Sequence, residues 1–361
     1  MSTLEGIVER REQGMIILSP AHQATLRRIL YVNSYGGEDI WNQIKSGLKP
    51  SHHLWGCLEL VRKGYEIALA KPLTDFYLYR KPLPHDLRLL KVTRNWLGRD
   101  GIVYCGHNVL YWLPFLRALG ALRCNIVSLL FAREPLAMGW AHSGIIALNP
   151  AAADHAKKIA PKVKVAHLGW GADLSSFPTL PYAPEWFLSC GITQRDHVTL
   201  AAAAAQTSAT IQVISPNLPP GLVWPTHTRL LTGGIHDDTV NYEALLRDHY
   251  AKCAASLIIL KHDPVEYTAV GFTNLIEAFA MARPVIVTRT GALASEIDVE
   301  REGCGLHVPA GNAPALAHAI ETLANDSHLA KAMGLKGRQL AERHYNINRF
   351  AAQLHTFFDS L

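Results

Sequence analysis

Cysteine is scarce in this sequence and follows no metal-binding or redox pattern. The 361 residues include six cysteines, with no C-x-x-C pair and no Cys/His set at zinc-site spacing. Several lie within apolar runs, where a reduced and buried cysteine is common. The pattern argues against a disulfide-stapled secreted domain and predicts a protein of the reducing cytoplasm.

Long apolar runs and dense charge of one sign are also missing. The N-terminal residues are charged and lack the apolar core of a signal peptide. Val109–Ala132, the nearest approach to a membrane span, is interrupted by proline, arginine and asparagine. The net charge of +5 includes no Lys/Arg block that would indicate nucleic acid. This mild positive charge fits an anionic nucleotide, or a peripheral contact with the cytoplasmic membrane face.

What the sequence does contain is enough apolar material for two globular domains. Hydrophobic residues make up 49% and charged residues 18% of the chain, which argues against disorder. Short apolar runs alternate with helical patterns, the order typical of parallel sheets covered by helices. We expect Rossmann-like domains at 1–173 and 174–345, with a helix at 346–361 packing back on the first. The boundary precedes a proline-rich segment, LPYAPEW.

Residues 256–290 are the most informative stretch. The sequence predicts a buried strand, a polar loop, a helix with one apolar face and a second, β-branched strand. Thr273 or Asn274 would cap the helix. In such a unit the helix N-terminus lies at the carboxyl edge of the sheet, where its N–H groups suit phosphate or sugar oxygens. Glu277 would accept hydrogen bonds from a ribose; the alternative is a solvated carboxylate on an ordinary βαβ unit.

The segment GFTNLIEAFAMARPVIVT resembles a motif of retaining GT-B glycosyltransferases of the glycosyl transferases group 1, or family 4, type: L-x-E-A-x-A-x-G-x-P-V-I-x-T. The resemblance implies that Glu277 holds the donor ribose and that the amides of Thr273, Asn274 and Leu275 face the sugar and phosphates. Ala269 stands where many members have a second Glu that grips the sugar, so the sequence leaves the sugar undefined.

A second part of the resemblance covers the start of the second domain. A strand at Trp186–Cys190 ends in GITQRD, as in the family. The resemblance then implies that Gly191 lies near the donor and that Arg195 neutralises the diphosphate as a catalytic residue, since a guanidinium can bind phosphate oxygens bidentately. The alternative for Arg195 is an ion pair with Asp196 on a surface loop. Lys261 is a second candidate cation.

The first domain carries candidates that follow predicted strands. Gly36 and Gly37 follow the first strand and would let the backbone approach the donor phosphates, or they form an ordinary turn. After the strand Gly101–Cys105, the resemblance places His107 beside the donor sugar as a catalytic residue; the alternative is a helix cap. Asn108 follows it directly.

Candidates on the acceptor side are His53, Asn108 and Arg133. His53 and His52 would open a helix, which directs adjacent side chains apart and argues against zinc. Arg133 would contact phosphate or acceptor, or pair with Glu134. Basic and aromatic residues interleave over 75–96, either as an acceptor or membrane-contacting face or as a loop and helix packed on the sheet.

The resemblance implies a GT-B architecture in which two domains face a cleft. A sugar would move from a nucleotide sugar, UDP being the commonest carrier and GDP remaining open, to a hydroxyl of a sugar, lipid-linked or small-molecule acceptor. The anomeric configuration would be retained, as part of glycolipid, polysaccharide or other glycoconjugate synthesis. No D-x-D triplet occurs, so no metal is implied, and the nucleotide sugar is a substrate rather than a cofactor. A nucleotide-sugar epimerase and a non-catalytic binding scaffold are the alternatives.

Overall fold

The computed structural model describes residues 4–22, 24–33, 36–70, 88–106, 110, 112–131, 138–232, 249–262 and 270–361. The chain divides into two compact units, Met1–Trp170 with Ile347–Leu361, and Gly171–Asn346. Each unit has one largely or wholly parallel sheet with helices in the crossovers, which confirms the predicted α/β fold class. Among the described residues, none of the helices is long and apolar enough to cross a membrane.

The sheet of the first unit has eight strands in the described residues, in the order β1-β2-β4-β3-β5-β6-β7-β8. Its strands are β1 (Ile7–Glu12), β2 (Met15–Pro20), β3 (Arg28–Val32), β4 (Glu66–Leu69), β5 (Ile102–Gly106), β6 (Asn125–Leu130), β7 (Gly144–Ala147) and β8 (Lys164–His167). Its helices are α1 (Gly37–Lys45), α2 (Cys57–Arg62), α3 (Trp112–Ala118), α4 (Pro150–Ile159) and α10 (Ile347–Asp359). Strands β3 to β8 are parallel, and the chain reverses its direction across the sheet between β3 and β5.

The N-terminal residues form a β-hairpin on the edge of this sheet. Strands β1 and β2 are antiparallel and are joined by Gln13 and Gly14, both with positive φ, as a two-residue type I′ turn requires. β2 also pairs antiparallel with β4, and its residues Met15–Leu18 are buried. The sequence assigned no role to this segment, although its apolar patch is the buried strand of the hairpin.

The second unit has six parallel strands in the order β11-β10-β9-β12-β13-β14. They are β9 (Trp186–Cys190), β10 (Ile211–Ile214), β11 (Thr228–Leu231), β12 (Cys253–Ile258), β13 (Val285–Thr288) and β14 (Gly305–Val308). The helices are α5 (His197–Ala204), α6 (Phe272–Ala280), α7 (Gly291–Glu296), α8 (Ala313–Asn325) and α9 (Ser327–Arg343). Counted within the unit, the strand order is 3-2-1-4-5-6, that of a dinucleotide-binding Rossmann fold.

One local prediction is wrong. The helix expected from His52 is divided: a 3₁₀ turn, Ser51–Leu54, is followed by Trp55 and Gly56 in the left-handed region before α2 begins. Two consecutive left-handed residues cannot continue an α-helix.

Candidate active site

The candidate site lies where the strand order of the second sheet reverses, between β9 and β12. Ligands of open parallel sheets bind at such points, beyond the carboxyl ends of the strands. The loops that leave the two strands are bonded to each other: the Asp196 N–H donates to the Ile259 carbonyl at 2.9 Å, and the Lys261 N–H to the Gln194 carbonyl at 2.9 Å. A β-bridge joins Arg195 and Leu260. The floor of the site is therefore fixed by main-chain hydrogen bonds.

Arg195 is buried at this point, with 6% of its surface exposed. Its Nε donates to the Cys190 carbonyl at 3.0 Å, one terminal nitrogen to the Thr193 carbonyl at 3.4 Å, and the other to the Asn274 side-chain oxygen. The alternative ion pair with Asp196 is wrong, because Asp196 instead caps α5: its carboxylate accepts from the Thr199 amide and hydroxyl. The guanidinium is thus held in one orientation by neutral acceptors.

The charge of Arg195 is retained although the group is buried. Burial lowers the pKa of the guanidinium, but arginine starts so high that it stays protonated in proteins. Two basic side chains lie in the same region: Lys261 is exposed, and His197 is buried at the start of α5. Burial, followed by the charges of Arg195 and Lys261, lowers the pKa of His197, so the imidazole is neutral near pH 7. The region is positive, as an anion-binding site requires.

Two glycines make room for the guanidinium and the helix. A Cβ on Gly191, whose φ is +114°, would lie 2.2 Å from a terminal nitrogen of Arg195. A Cβ on Gly271, whose φ is +85°, would lie 2.6 Å from Cγ2 of Ile258. Both positions therefore require glycine for conformation and for space.

Helix α6 begins at Phe272 with Gly271 as its N-cap, so the prediction that Thr273 or Asn274 caps the helix is wrong. The two residues lie inside the first turn, where N–H groups have no acceptor within the helix. Leu275 is the exception among the three predicted amides, because its N–H donates to the Gly271 carbonyl at 3.1 Å. The first turn contains no acidic residue. Its amides and the helix dipole favour an anion there.

Behind this first turn is a buried polar network. Asn274 and Glu277 are 4% and 2% exposed. The Asn274 amide nitrogen donates to Cys190 Sγ at 3.1 Å and to the Tyr250 hydroxyl at 3.3 Å, and Tyr250 donates to Glu277 Oε2 at 3.4 Å. The alternative that Glu277 is a solvated surface carboxylate is wrong. Sequence reasoning missed Cys190 and Tyr250, which carried no signal beyond lying in apolar or helix-like segments.

The remaining predicted residues lie in the first unit or outside the described residues. Gly36 is the N-cap of α1 and Gly37 its first residue, after the end of β3. His53 lies on the 3₁₀ turn; its ring stacks on that of His52 with centroids 4.6 Å apart, so the expectation that the two side chains diverge is wrong. His107, Asn108, Arg133 and Ala269 lie outside the described part of the chain, as do 75–87 of the basic and aromatic segment.

Comparison with protein families finds a match within the second unit. Residues 230–326 match the family described as Glycosyl transferases group 1. The matched segment includes β12, α6 and β13, and therefore Asn274 and Glu277. A search of curated proteins by sequence finds no match.

Solved structures resemble more than nine-tenths of the chain at low sequence identity. Sucrose-phosphate synthase from Thermosynechococcus elongatus has a TM-score of 0.65 at 14% identity, over 92% of this chain and 98% of that one. HepE of Anabaena, solved with UDP and glucose, has a TM-score of 0.62 at 14% identity, over 93% and 100%. A UDP-forming trehalose-phosphate synthase from Burkholderia xenovorans has a TM-score of 0.58 at 12% identity, over 92% and 98%.

These matches establish the fold class as GT-B, as the sequence predicted. A Glycosyl transferases group 1 region within that fold identifies the protein as a glycosyltransferase, an enzyme of sugar transfer.

Proposed function

We propose that the protein transfers a sugar from a UDP-sugar to a hydroxyl acceptor with retention of the anomeric configuration and without a metal ion. The observation that carries the donor assignment is the position of Arg195. A buried guanidinium is held beside the first turn of α6, at the point where the Rossmann sheet reverses. A diphosphate bound there would meet a fixed cation and main-chain N–H groups together.

The two ends of a nucleoside diphosphate would lie at the two ends of this site. The phosphates would lie against Arg195 and the amides of Thr273 and Asn274, with Lys261 at the exposed rim. Glu277 lies further along α6, and its carboxylate would accept hydrogen bonds from the ribose hydroxyls. UDP is the proposed nucleotide because HepE of Anabaena was solved with UDP-glucose, and because the Burkholderia enzyme is UDP-forming.

The chemistry follows from where negative charge develops. As the bond between the anomeric carbon and the diphosphate breaks, charge builds on the leaving oxygen. The acceptor oxygen bonds to the same face of that carbon, and its proton leaves with the diphosphate. A fixed guanidinium and helix N-terminus stabilise this charge without reorganising, a contribution typically worth about 3–4 kcal/mol for one well-placed donor. Cationic side chains of the protein would then stabilise this negative charge in place of a metal ion.

We place the acceptor among sugars, lipid-linked sugars and small molecules of glycoconjugate synthesis. The residues predicted to contact it are His53, Asn108 and Arg133, with His107 proposed beside the donor sugar. Peripheral contact of the segment 75–96 with a membrane stays a prediction.

Calorimetric titration of the protein with UDP and with GDP tests the donor assignment. We expect UDP to bind, with the same affinity in EDTA as in Mg²⁺, and GDP to bind at least tenfold more weakly. Absence of UDP binding would overturn the donor assignment, and binding only with Mg²⁺ would overturn metal independence.

Retention is tested on the product of an acceptor screen with UDP-glucose. The anomeric coupling constant in the proton NMR spectrum should match the α configuration of the donor; a β product would show inversion. Conversion of UDP-glucose alone into another UDP-hexose would instead show an epimerase.

A further inference from the structure

Tyr250 lies at the centre of the buried side of the donor site and is fully buried. Its hydroxyl donates to Glu277 Oε2 at 3.4 Å and accepts from the Asn274 amide nitrogen at 3.3 Å. The oxygen of the same Asn274 amide accepts from Arg195. One hydroxyl therefore connects the carboxylate proposed for the ribose to the guanidinium proposed for the phosphates.

Because Tyr250 is protonated, its hydroxyl donates to Glu277 and accepts from Asn274, so the donor and acceptor roles in this network are fixed. Burial, with added effects of Cys190 and Glu277, raises the pKa of the phenol well above its usual value, so it keeps its proton at neutral pH. A hydroxyl has a single proton, and donating it to Glu277 leaves its lone pairs for the Asn274 amide. The amide nitrogen is then directed toward Tyr250 and the amide oxygen toward Arg195. Each group in the chain fixes the orientation of the next.

Arg283 holds Tyr250 in place through the main chain. It is 1% exposed, and its Nε donates to the Tyr250 carbonyl at 3.0 Å. One terminal nitrogen donates to the carbonyls of Ala251 at 2.7 Å and Pro181 at 3.1 Å. A buried charge costs free energy unless it is well hydrogen-bonded, and here its acceptors include the two consecutive carbonyls of this segment.

We propose that Tyr250, anchored by Arg283, is a positioning residue of the donor site. It orients the Glu277 carboxylate directly, and the Arg195 guanidinium through Asn274, before the nucleotide binds. Groups that are already ordered lose less conformational entropy on binding, so preorganisation raises affinity without a new contact. The inference rests on the proposed function, because it takes UDP as the ligand.

The variant Tyr250→Phe removes one hydroxyl and keeps the ring. We expect its UDP affinity, measured by calorimetry, to fall about five- to tenfold, the usual worth of one or two hydrogen bonds. The matched control is Tyr182→Phe, since the Tyr182 hydroxyl donates to the Ala254 carbonyl at 3.0 Å and Tyr182 also contacts Arg283 through its ring. UDP affinity of this control should stay within twofold of wild type. Circular dichroism melts establish that both variants fold.

A double-mutant cycle separates positioning from general loosening of the unit. If Tyr250 acts largely through Glu277, then adding Tyr250→Phe to the Glu277→Ala variant should lower UDP affinity less than twofold. An equal loss in both backgrounds would show a structural role only and would overturn the proposal. Should Tyr250→Phe fail to fold, Arg283→Lys takes its place. This substitution keeps the positive charge but removes the several N–H donors of the guanidinium, and it should lower UDP affinity several-fold.

The outcomes distinguish this proposal from the proposed function. If the wild-type protein does not bind UDP, the donor assignment fails and the positioning role falls with it. If the wild type binds UDP and Tyr250→Phe binds equally well, the donor assignment stands and the positioning role is wrong.

Discussion

In the first sheet the strand order reverses between β3 and β5, and in the second between β9 and β12. The N-cap of helix α1 is Gly36, with φ at −60°, and the first turn of α1 contains Glu38 and Asp39. The N-cap of helix α6 is Gly271, with φ at +85°, and the first turn of α6 contains no acidic residue. Acidic side chains already complement the dipole of α1, whereas a buried arginine lies beside the start of α6. The same reversal of strand order thus occurs twice, and the side-chain charges favour an anion at the second of the two crevices that such reversals form.

The largest expected effect comes from removing the cation that sets the second crevice apart. We expect Arg195→Ala to slow UDP release from UDP-glucose at least about 100-fold, because the developing charge on the diphosphate loses its fixed partner. Arg195→Lys keeps the charge but cannot bind phosphate bidentately, so it should be faster than Arg195→Ala and slower than the wild type. An Arg195→Ala variant that folds and keeps more than a tenth of the wild-type rate would contradict the assignment.

Glu277→Gln tests the other end of the same crevice. The substitution preserves the size of the side chain but removes the charge, so affinity for UDP should fall by roughly tenfold or more, as for a hydrogen bond to a charged acceptor. Calorimetry with UDP and with inorganic diphosphate locates the effect. Diphosphate affinity should change less than UDP affinity, and an equal loss for both would place Glu277 away from the ribose.

A matched pair of glycine substitutions compares the two helix starts directly. Gly271→Ala forces a left-handed alanine against Ile258 and should lower the free energy of unfolding by roughly 1–3 kcal/mol. Gly37→Ala adds a Cβ at ordinary contact distance, 3.4 Å from Leu69 and Tyr31, and should change stability by less than about 1 kcal/mol. Urea unfolding measures both. An equal loss of unfolding free energy in the two variants would show that position 271 does not require glycine for its backbone conformation.

The smallest expected effect concerns pH and lies in the first unit. Burial lowers the pKa of His142 from 6.5 to about 4, so its neutral form stabilises the folded state above pH 6.5. That stability is lost as pH falls toward 4, with a change of roughly 0.5–1 kcal/mol between pH 7 and 6. His142→Gln should flatten the dependence of the melting temperature on pH over this interval. The exposed His318→Gln is the control and should leave the slope unchanged.

Sequence alone was sufficient where the signal is local. The two strands and the helix of 256–290 were predicted because apolar periodicity and β-branched runs are read directly along the chain. The GT-B fold class followed from the motif that these elements carry. The same local reasoning failed at the start of α6, where glycine in the left-handed region replaced a side-chain cap, and at the N-terminal hairpin, whose turn has glutamine rather than the usual asparagine or aspartate.

The sequence by itself determined the residue types and the elements that hold them: a basic residue after one strand, and a carboxylate on the helix after another. Only the tertiary structure decided that Arg195 and Asn274, 79 residues apart, share a hydrogen bond, and that Tyr250 joins them to Glu277. The physical reason is strand order. Adjacent positions in a parallel sheet are set by crossovers packed over its faces, so β9 and β12 become neighbours through long-range packing that no local pattern encodes.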